Sequence, residues 1–140
     1  MTSADPDRLR ARLISMRELV DHLDSLQPVT EEALRADFGL RLQVERALSQ
    51  IITLAAEINS HGVVATLGRP PADLRTSFDD AAYAGWIDLD LAQRLRMAAG
   101  LRNVLVHEYV DVDLGIVAAA VPGAVGGFGA YIRAVASRLD

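Results

Sequence analysis

Residues 30–58, TEEALRADFGLRLQVERALSQIITLAAEI, decide the fold. Thr30 is a capping residue followed by two carboxylates, Glu31 and Glu32. A helix begins this way, because the hydroxyl accepts an unpaired backbone N–H and the acids sit at the positive end of the dipole. Behind that start Leu34, Phe38, Leu42, Val44, Ala47, Leu48, Ile51, Ile52, Leu54, Ala55 and Ile58 recur at helical spacing. The series runs for about thirty residues, beyond an ordinary globular helix. Apolar residues on more than one face of so long a helix predict packing against both its own domain and a partner. Gly39 is the expected place for a kink, and Arg35, Arg41, Glu45 and Arg46 read as solvated charges.

The chain on either side has the same character. Asp5-Pro6 supplies a cap and a first-turn proline. Leu9, Leu13, Met16, Leu19, Val20, Leu23 and Leu26 then mark an amphipathic helix over residues 7–27 that Pro28 stops. His22 falls on its solvated face and needs no role. Downstream, His61-Gly62 reads as the end of the long helix, with His61 as its cap, and Gly62 to Asp73 reads as a loop containing Gly68 and Pro70-Pro71. A short helix over Asp73 to Ala84 closes at Gly85. Asp88 caps the next helix, which carries Leu89, Leu91, Ala92, Leu95, Met97, Ala98 and Leu101. Asp111-Val112-Asp113 caps a final region, where Pro122-Gly123 and Gly126-Gly127-Phe128-Gly129 predict a break before the helix resumes over Ala130 to Leu139. No segment alternates cleanly and no hairpin signal occurs. The expected fold is all-α, an up-and-down bundle of about five helices forming one domain over residues 1–140.

Composition narrows the function classes. A chain with 51% hydrophobic residues is no disordered chain, and it lacks the continuous apolar run of a membrane span. Absence of cysteine excludes disulfides and thiolate metal sites. The net charge of −5 argues against broad adhesion to nucleic acid or anionic membrane and leaves room for a local basic cleft. All 14 basic residues are arginine. Met1-Thr2-Ser3-Ala4-Asp5 shows no basic and apolar leader, so a cytoplasmic location is expected. Three histidines without H-E-x-x-H spacing make a metal site improbable even though Glu57 and His61 stand one turn apart, and no cofactor is expected.

Chemistry concentrates in Gly100-Leu101-Arg102-Asn103-Val104-Leu105-Val106-His107-Glu108-Tyr109. Arginine is permanently charged and offers a planar fork of donors matched to phosphate oxygens. Histidine titrates near neutrality and passes a proton to or from a ribose hydroxyl or a leaving oxygen. Together they suit attack on a phosphodiester. On an ideal helix Asn103 and His107 share a face, whereas Arg102 and His107 diverge by about 140°. To meet on one substrate the latter two need a helix break or a second copy of the chain. Taken alone, the spacing is better explained by a helix C-terminus where His107 favours the dipole and Arg102 is solvated.

The pattern R-N-x3-H-x-Y, formed by Arg102, Asn103, His107 and Tyr109, resembles the R-x4-6-H motif of HEPN-domain ribonucleases, in the R-x4-H-x-Y form of HepT-type toxins. Ser77-Phe78 through Gly85-Trp86-Ile87, then Leu91 to Arg102, follows the order of segments before the motif in that family, and Leu40 to His61 is similar to its long second helix. The resemblance spans roughly residues 7 to 115, and the glycine-rich tail departs from it. It implies the HEPN architecture and a homodimer in which two motifs face one another across a cleft. It also implies a metal-independent endoribonuclease that is the toxin of a type VII toxin–antitoxin pair, with Arg102, Asn103 and His107 acting on RNA. The implied partner is an MntA-type nucleotidyltransferase antitoxin that adds AMP to Tyr109. A non-catalytic HEPN module binding nucleotides or proteins is the alternative.

Overall fold

Most helices open on the side-chain cap that the sequence supplies. The computed structural model describes residues 5–107 and 111–140, and the description of Val106 and His107 is limited to the backbone. Among the described residues there are seven helices and no strand: α1 (Pro6–Ser25), α2 (Glu31–Ala36), α3 (Phe38–Leu67), α4 (Leu74–Tyr83), α5 (Leu89–Leu95), α6 (Met97–His107) and α7 (Leu114–Leu139). The all-α class is as expected. Asp5 accepts from the backbone of Asp7 and Arg8, Thr30 from Ala33, Asp88 from Leu91, and Asp113 from Gly115 and Ile116. Asp73 and Thr76 form a reciprocal capping box at α4. Hydrogen bonds from Thr76 hold the Asp73 carboxyl below the usual carboxylate range.

α1 and α3 run antiparallel. His22 of α1 pairs with Gln43 of α3 (Nε2 to Oε1, 2.9 Å), while Arg12 reaches Glu57 further along (2.7 Å). His22 therefore joins two helices, a contact that its solvated-face pattern did not suggest. The core gathers Leu9, Leu13, Met16, Val20 and Leu23 of α1, Val44, Leu48, Ile51, Ile52 and Ile58 of α3, and Val117, Val121, Phe128, Tyr131 and Val135 of α7. Each large apolar side chain withdrawn from water contributes about 1.5–3 kcal/mol. Phe78 of α4 and Phe128 both meet the Tyr131 ring edge-on, with centroids 6.3 and 6.2 Å away. A polar chain threads this core: the Tyr131 hydroxyl donates to Asn59 Oδ1 (2.6 Å), Asn59 Nδ2 donates to Ser77 Oγ (3.0 Å), and Ser77 Oγ donates to the Leu74 carbonyl (2.6 Å). It ties α3, α4 and α7 together. Among the described residues no buried side-chain polar atom lacks a partner, as burial without loss of stability requires.

Seven helices stand where about five were expected, and each difference has a local cause. The long helix does not run unbroken from Thr30. It splits at Asp37, whose extended backbone and side-chain bond to the Leu40 N–H (3.0 Å) make it the cap of α3, two residues before Gly39. At the other end α3 passes through His61-Gly62 and stops at Gly68 with φ 74°, a left-handed cap that glycine adopts without strain. So His61 lies inside the helix rather than capping it, and the loop begins six residues later than read. Gly62 is there to admit Trp86: a Cβ would fall 2.9 Å from its ring, and its indole N–H donates to the Gly62 carbonyl (3.1 Å). Between α5 and α6 the chain bends at Arg96 by an i to i+3 bond from Ala99, with no glycine or proline to announce it.

The predicted break at Pro122-Gly123 is absent, because α7 continues for 26 residues. Proline removes one backbone bond and glycine is a poor helix former. Burial of Val117, Val121, Phe128, Tyr131 and Val135 along one stripe overrides both. Gly127 also serves a close approach, since a Cβ there would lie 2.9 Å from Leu95 Cδ2 of α5. By length and hydropathy, mean 1.6, α7 alone among the described helices is apolar enough to cross a membrane. It is instead a core helix, with Tyr131 fully buried.

Candidate active site on helix α6

α6 is held by one face. Ala98, Leu101 and Leu105, spaced at i, i+3 and i+7, pack against the core. Asn103 lies on the opposite face and is exposed, while Arg102 on the flank is half-buried. His107 is the last residue of the helix, one turn beyond Asn103, so the two helical positions share the outward face. Arg102 is five positions before His107, and an unbroken helix separates them by about 140° around its axis. The bend that would have reconciled them lies at Arg96, before the motif. One copy of the helix thus presents Asn103 and the His107 position together and directs Arg102 away from them. Tyr109 and the side chain of His107 lie outside the described residues.

Among the described residues no group of three or more His, Cys, Asp or Glu stands close enough to hold a metal. Glu57, the carboxylate nearest His61 in sequence, is taken by Arg12. Two arginines that read as solvated are paired: Arg35 with Glu31 (3.1 Å) and Arg41 with Glu45 (2.9 Å), each one turn apart. The Arg35–Glu31 pair is exposed and such a pair contributes little to stability, whereas Arg41–Glu45 is partly buried. Arg96 at the start of the α6 bend reaches Asp79 of α4 (3.5 Å). The Arg102 side chain is in no hydrogen bond or ion pair with another of the described residues.

Two features had no signal in the sequence. Beside α6 runs an apolar groove of about 580 Å³, floored by Leu48 and Phe128 and walled by Gly100 and Val104 of α6 and Ile116 and Gly123 of α7. A more polar groove of about 590 Å³ lies between α1 and α3, with Glu18, Arg46 and Gln50 on its walls. Both are made by residues far apart in the chain, which periodicity along one helix does not reveal.

Comparison with known proteins gives a consistent result. Residues 16–135 match the family described as ribonuclease HepT-like. A tRNA nuclease HepT of Aphanizomenon flos-aquae is 30% identical over 99% of this chain and 95% of its own length. Among solved structures, a tri-AMPylated HEPN toxin of Shewanella oneidensis in complex with an MNT antitoxin superposes with a TM-score of 0.80 at 22% identity, covering 92% of this chain and 96% of the toxin. A cytosolic protein of unknown function from Bacillus subtilis, YutE, superposes with a TM-score of 0.83 at 14% identity, covering 99% of this chain and 93% of the other. At such identities the two structures speak for the fold alone.

Proposed function

The chain belongs to the ribonuclease HepT-like family, and on that premise we propose that it is a metal-independent endoribonuclease, the toxin of a type VII toxin–antitoxin pair. The observation that carries the reading is that Arg102, Asn103 and His107 share one short helix, which Ala98, Leu101 and Leu105 anchor in the core. His107 activates the ribose 2′-hydroxyl or protonates the leaving 5′-oxygen, and Arg102 stabilises the charge that builds on the phosphate. Asn103, one turn earlier, orients the His107 ring or the adjacent backbone. Because one helix turns Arg102 and His107 apart, the cleft is built by two copies of the chain facing each other. The partner is a nucleotidyltransferase antitoxin that transfers AMP to Tyr109, in keeping with the AMPylated toxin in complex with its antitoxin among the structural relatives. The protein acts in the cytoplasm, and tRNA is the first substrate to test, given the name of the cyanobacterial relative.

The test is cleavage of tRNA by the purified protein in excess EDTA, beside His107→Ala. Loss of an acid–base group is expected to slow cleavage by about two to four orders of magnitude. Cleavage unchanged in the variant, or dependent on added Mg²⁺, overturns the mechanism. The acidic balance of the chain, −5 overall, favours a second reading, a non-catalytic module that binds nucleotides or proteins. Nucleotide binding by a parent protein that leaves RNA intact would select it.

A further inference from the structure

We infer that Leu95 and Arg96, at the joint between α5 and α6, are positioning residues for the candidate site: gripped by α7 and α4, they set the direction in which α6 presents Arg102, Asn103 and His107 to RNA. The inference rests on the ribonuclease reading and deepens it. It starts from a break that the local sequence does not call for. Residues 91–99, LAQRLRMAA, are all strong helix formers, with no glycine or proline. Arg96 itself sits in the right-handed helical region, at φ −55° and ψ −32°. Yet α5 ends at Leu95 and α6 begins at Met97, and the Ala99 N–H donates to the Arg96 carbonyl (3.1 Å), a tighter turn than that of an α-helix. Because nothing local enforces the break, contacts from other helices hold it.

Two successive side chains supply those contacts. Leu95 is buried, and its Cδ2 occupies the space that Gly127 of α7 leaves open, where a Cβ would lie 2.9 Å away. The next side chain, Arg96, places its Nε 3.5 Å from Asp79 Oδ2 of α4. Neighbours on a helix point about 100° apart, so the two anchors act on different walls and fix tilt and rotation together. Beyond the joint α6 meets the core through one stripe, Ala98, Leu101 and Leu105. A helix held by a single stripe is free to rock about it unless one end is fixed.

Leverage turns a small error at the joint into a large one at the motif. At about 1.5 Å per residue the His107 position stands about 16 Å beyond Arg96, so a tilt of about 10° moves it by about 3 Å. Misplacement by about 1 Å costs up to about a hundredfold in rate. In a cleft built from two copies the error enters twice. Stability feels little of this, because the side chains of the ion pair are 41% and 37% exposed, and such a pair shifts an equilibrium by about fivefold at most. The signature of positioning is therefore a loss of kcat in a protein that stays folded.

The experiment compares full-chain variants by steady-state tRNA cleavage in EDTA, by melting point, and by residual dipolar couplings of backbone amides, which report helix direction. Arg96→Gln and Asp79→Asn should each lower kcat by about two- to fivefold. Both should keep the parent's KM, its pH profile and, within about 2 °C, its melting point. Reversing the pair, Arg96→Asp with Asp79→Arg, should recover kcat. Gly127→Ala pushes on Leu95 and should lower kcat on the order of tenfold, and adding Leu95→Val, which removes the δ carbons, should restore it. In the impaired variants the couplings of α6 should change while those of α1 and α3 stay. Arg12→Gln, which breaks the ion pair between α1 and α3, should leave kcat and the α6 couplings as they are. If Arg96 instead gripped an RNA phosphate, Arg96→Gln would raise KM and Asp79→Asn, by freeing the guanidinium, would lower it. That opposed pair of shifts, an unchanged kcat, or α6 couplings that do not move overturns the inference. A parent that leaves tRNA intact removes the ribonuclease reading alone, and the joint then stands or falls on the couplings.

Discussion

Replacing Tyr131 with phenylalanine removes one oxygen from the centre of the bundle and leaves the ring against Phe78 and Phe128. The hydroxyl lies 2.6 Å from Asn59 Oδ1 and 3.3 Å from the Ala55 carbonyl. In the variant Asn59, buried on α3, keeps its donor bond to Ser77 but loses the donor to its own oxygen. A buried acceptor left without a partner costs about 1–3 kcal/mol. For a domain of this size each kcal/mol moves the melting point by about 3–5 °C, so a fall of roughly 3–15 °C is expected. Thermal unfolding by circular dichroism at one fixed protein concentration measures it, since association also shifts Tm. Adding Asn59→Leu removes the orphaned oxygen, and the double variant should lose less than the sum of the single changes. Burial also pushes the Tyr131 phenol well above its ordinary value. With the folded value raised, this contribution is complete below the unfolded phenol value near pH 10 and is lost as pH rises beyond it. The phenylalanine variant should lack that part of the alkaline decline. A melting point within about 1 °C of the parent would show that the chain of hydroxyl, amide and hydroxyl contributes nothing to joining α7 to α3.

Gly62→Ala places a Cβ 2.9 Å from the Trp86 ring; helix propensity favours alanine by about 1 kcal/mol, but displacing the ring costs about 1–3 kcal/mol. The net change is expected to be neutral to destabilising, with a shift in the emission of the sole tryptophan; unchanged emission together with a raised Tm would contradict the packing. For Asp73, whose carboxyl is held low by Thr76, the stabilisation is present above the unfolded value near pH 4 and disappears as pH falls through the lowered folded value. Asp73→Asn should therefore flatten the acid dependence of amide protection in α4, and identical acid profiles would exclude the capping box as its source. Tyr109→Phe should retain ribonuclease activity and resist silencing by the nucleotidyltransferase with ATP. Silencing as complete as that of the parent would remove Tyr109 as the modified residue.

What could be read from the chain follows from which interactions are local. Caps at Asp5, Thr30, Asp88 and Asp113 act within three residues, and the apolar spacing of α1 and α3 acts within a few turns, so the starts of α1, α2, α5 and α7 and the all-α class were legible. Helix ends and joins were less so. The split at Asp37 lay two residues from the glycine chosen for a kink, and the bend at Arg96 carries no breaker at all. The motif stood out because arginine, asparagine and histidine crowd one short stretch.

The sequence by itself determined the helical class, most of the caps and the helix that bears Arg102, Asn103 and His107, because each depends on residues within a turn or two of one another. Only the tertiary structure decided whether a glycine ends a helix or seats a neighbour. Gly62 and Gly127 accept Trp86 and Leu95 from other helices, and α7 stays whole through Pro122 because its buried stripe outweighs its poor propensity. The groove over Gly100 and Gly123, the pairing of His22 with Gln43, and the chain from Tyr131 through Asn59 to Ser77 likewise join residues from different helices. Such contacts leave no period in a single helix, since they exist only once packing has brought its faces against others.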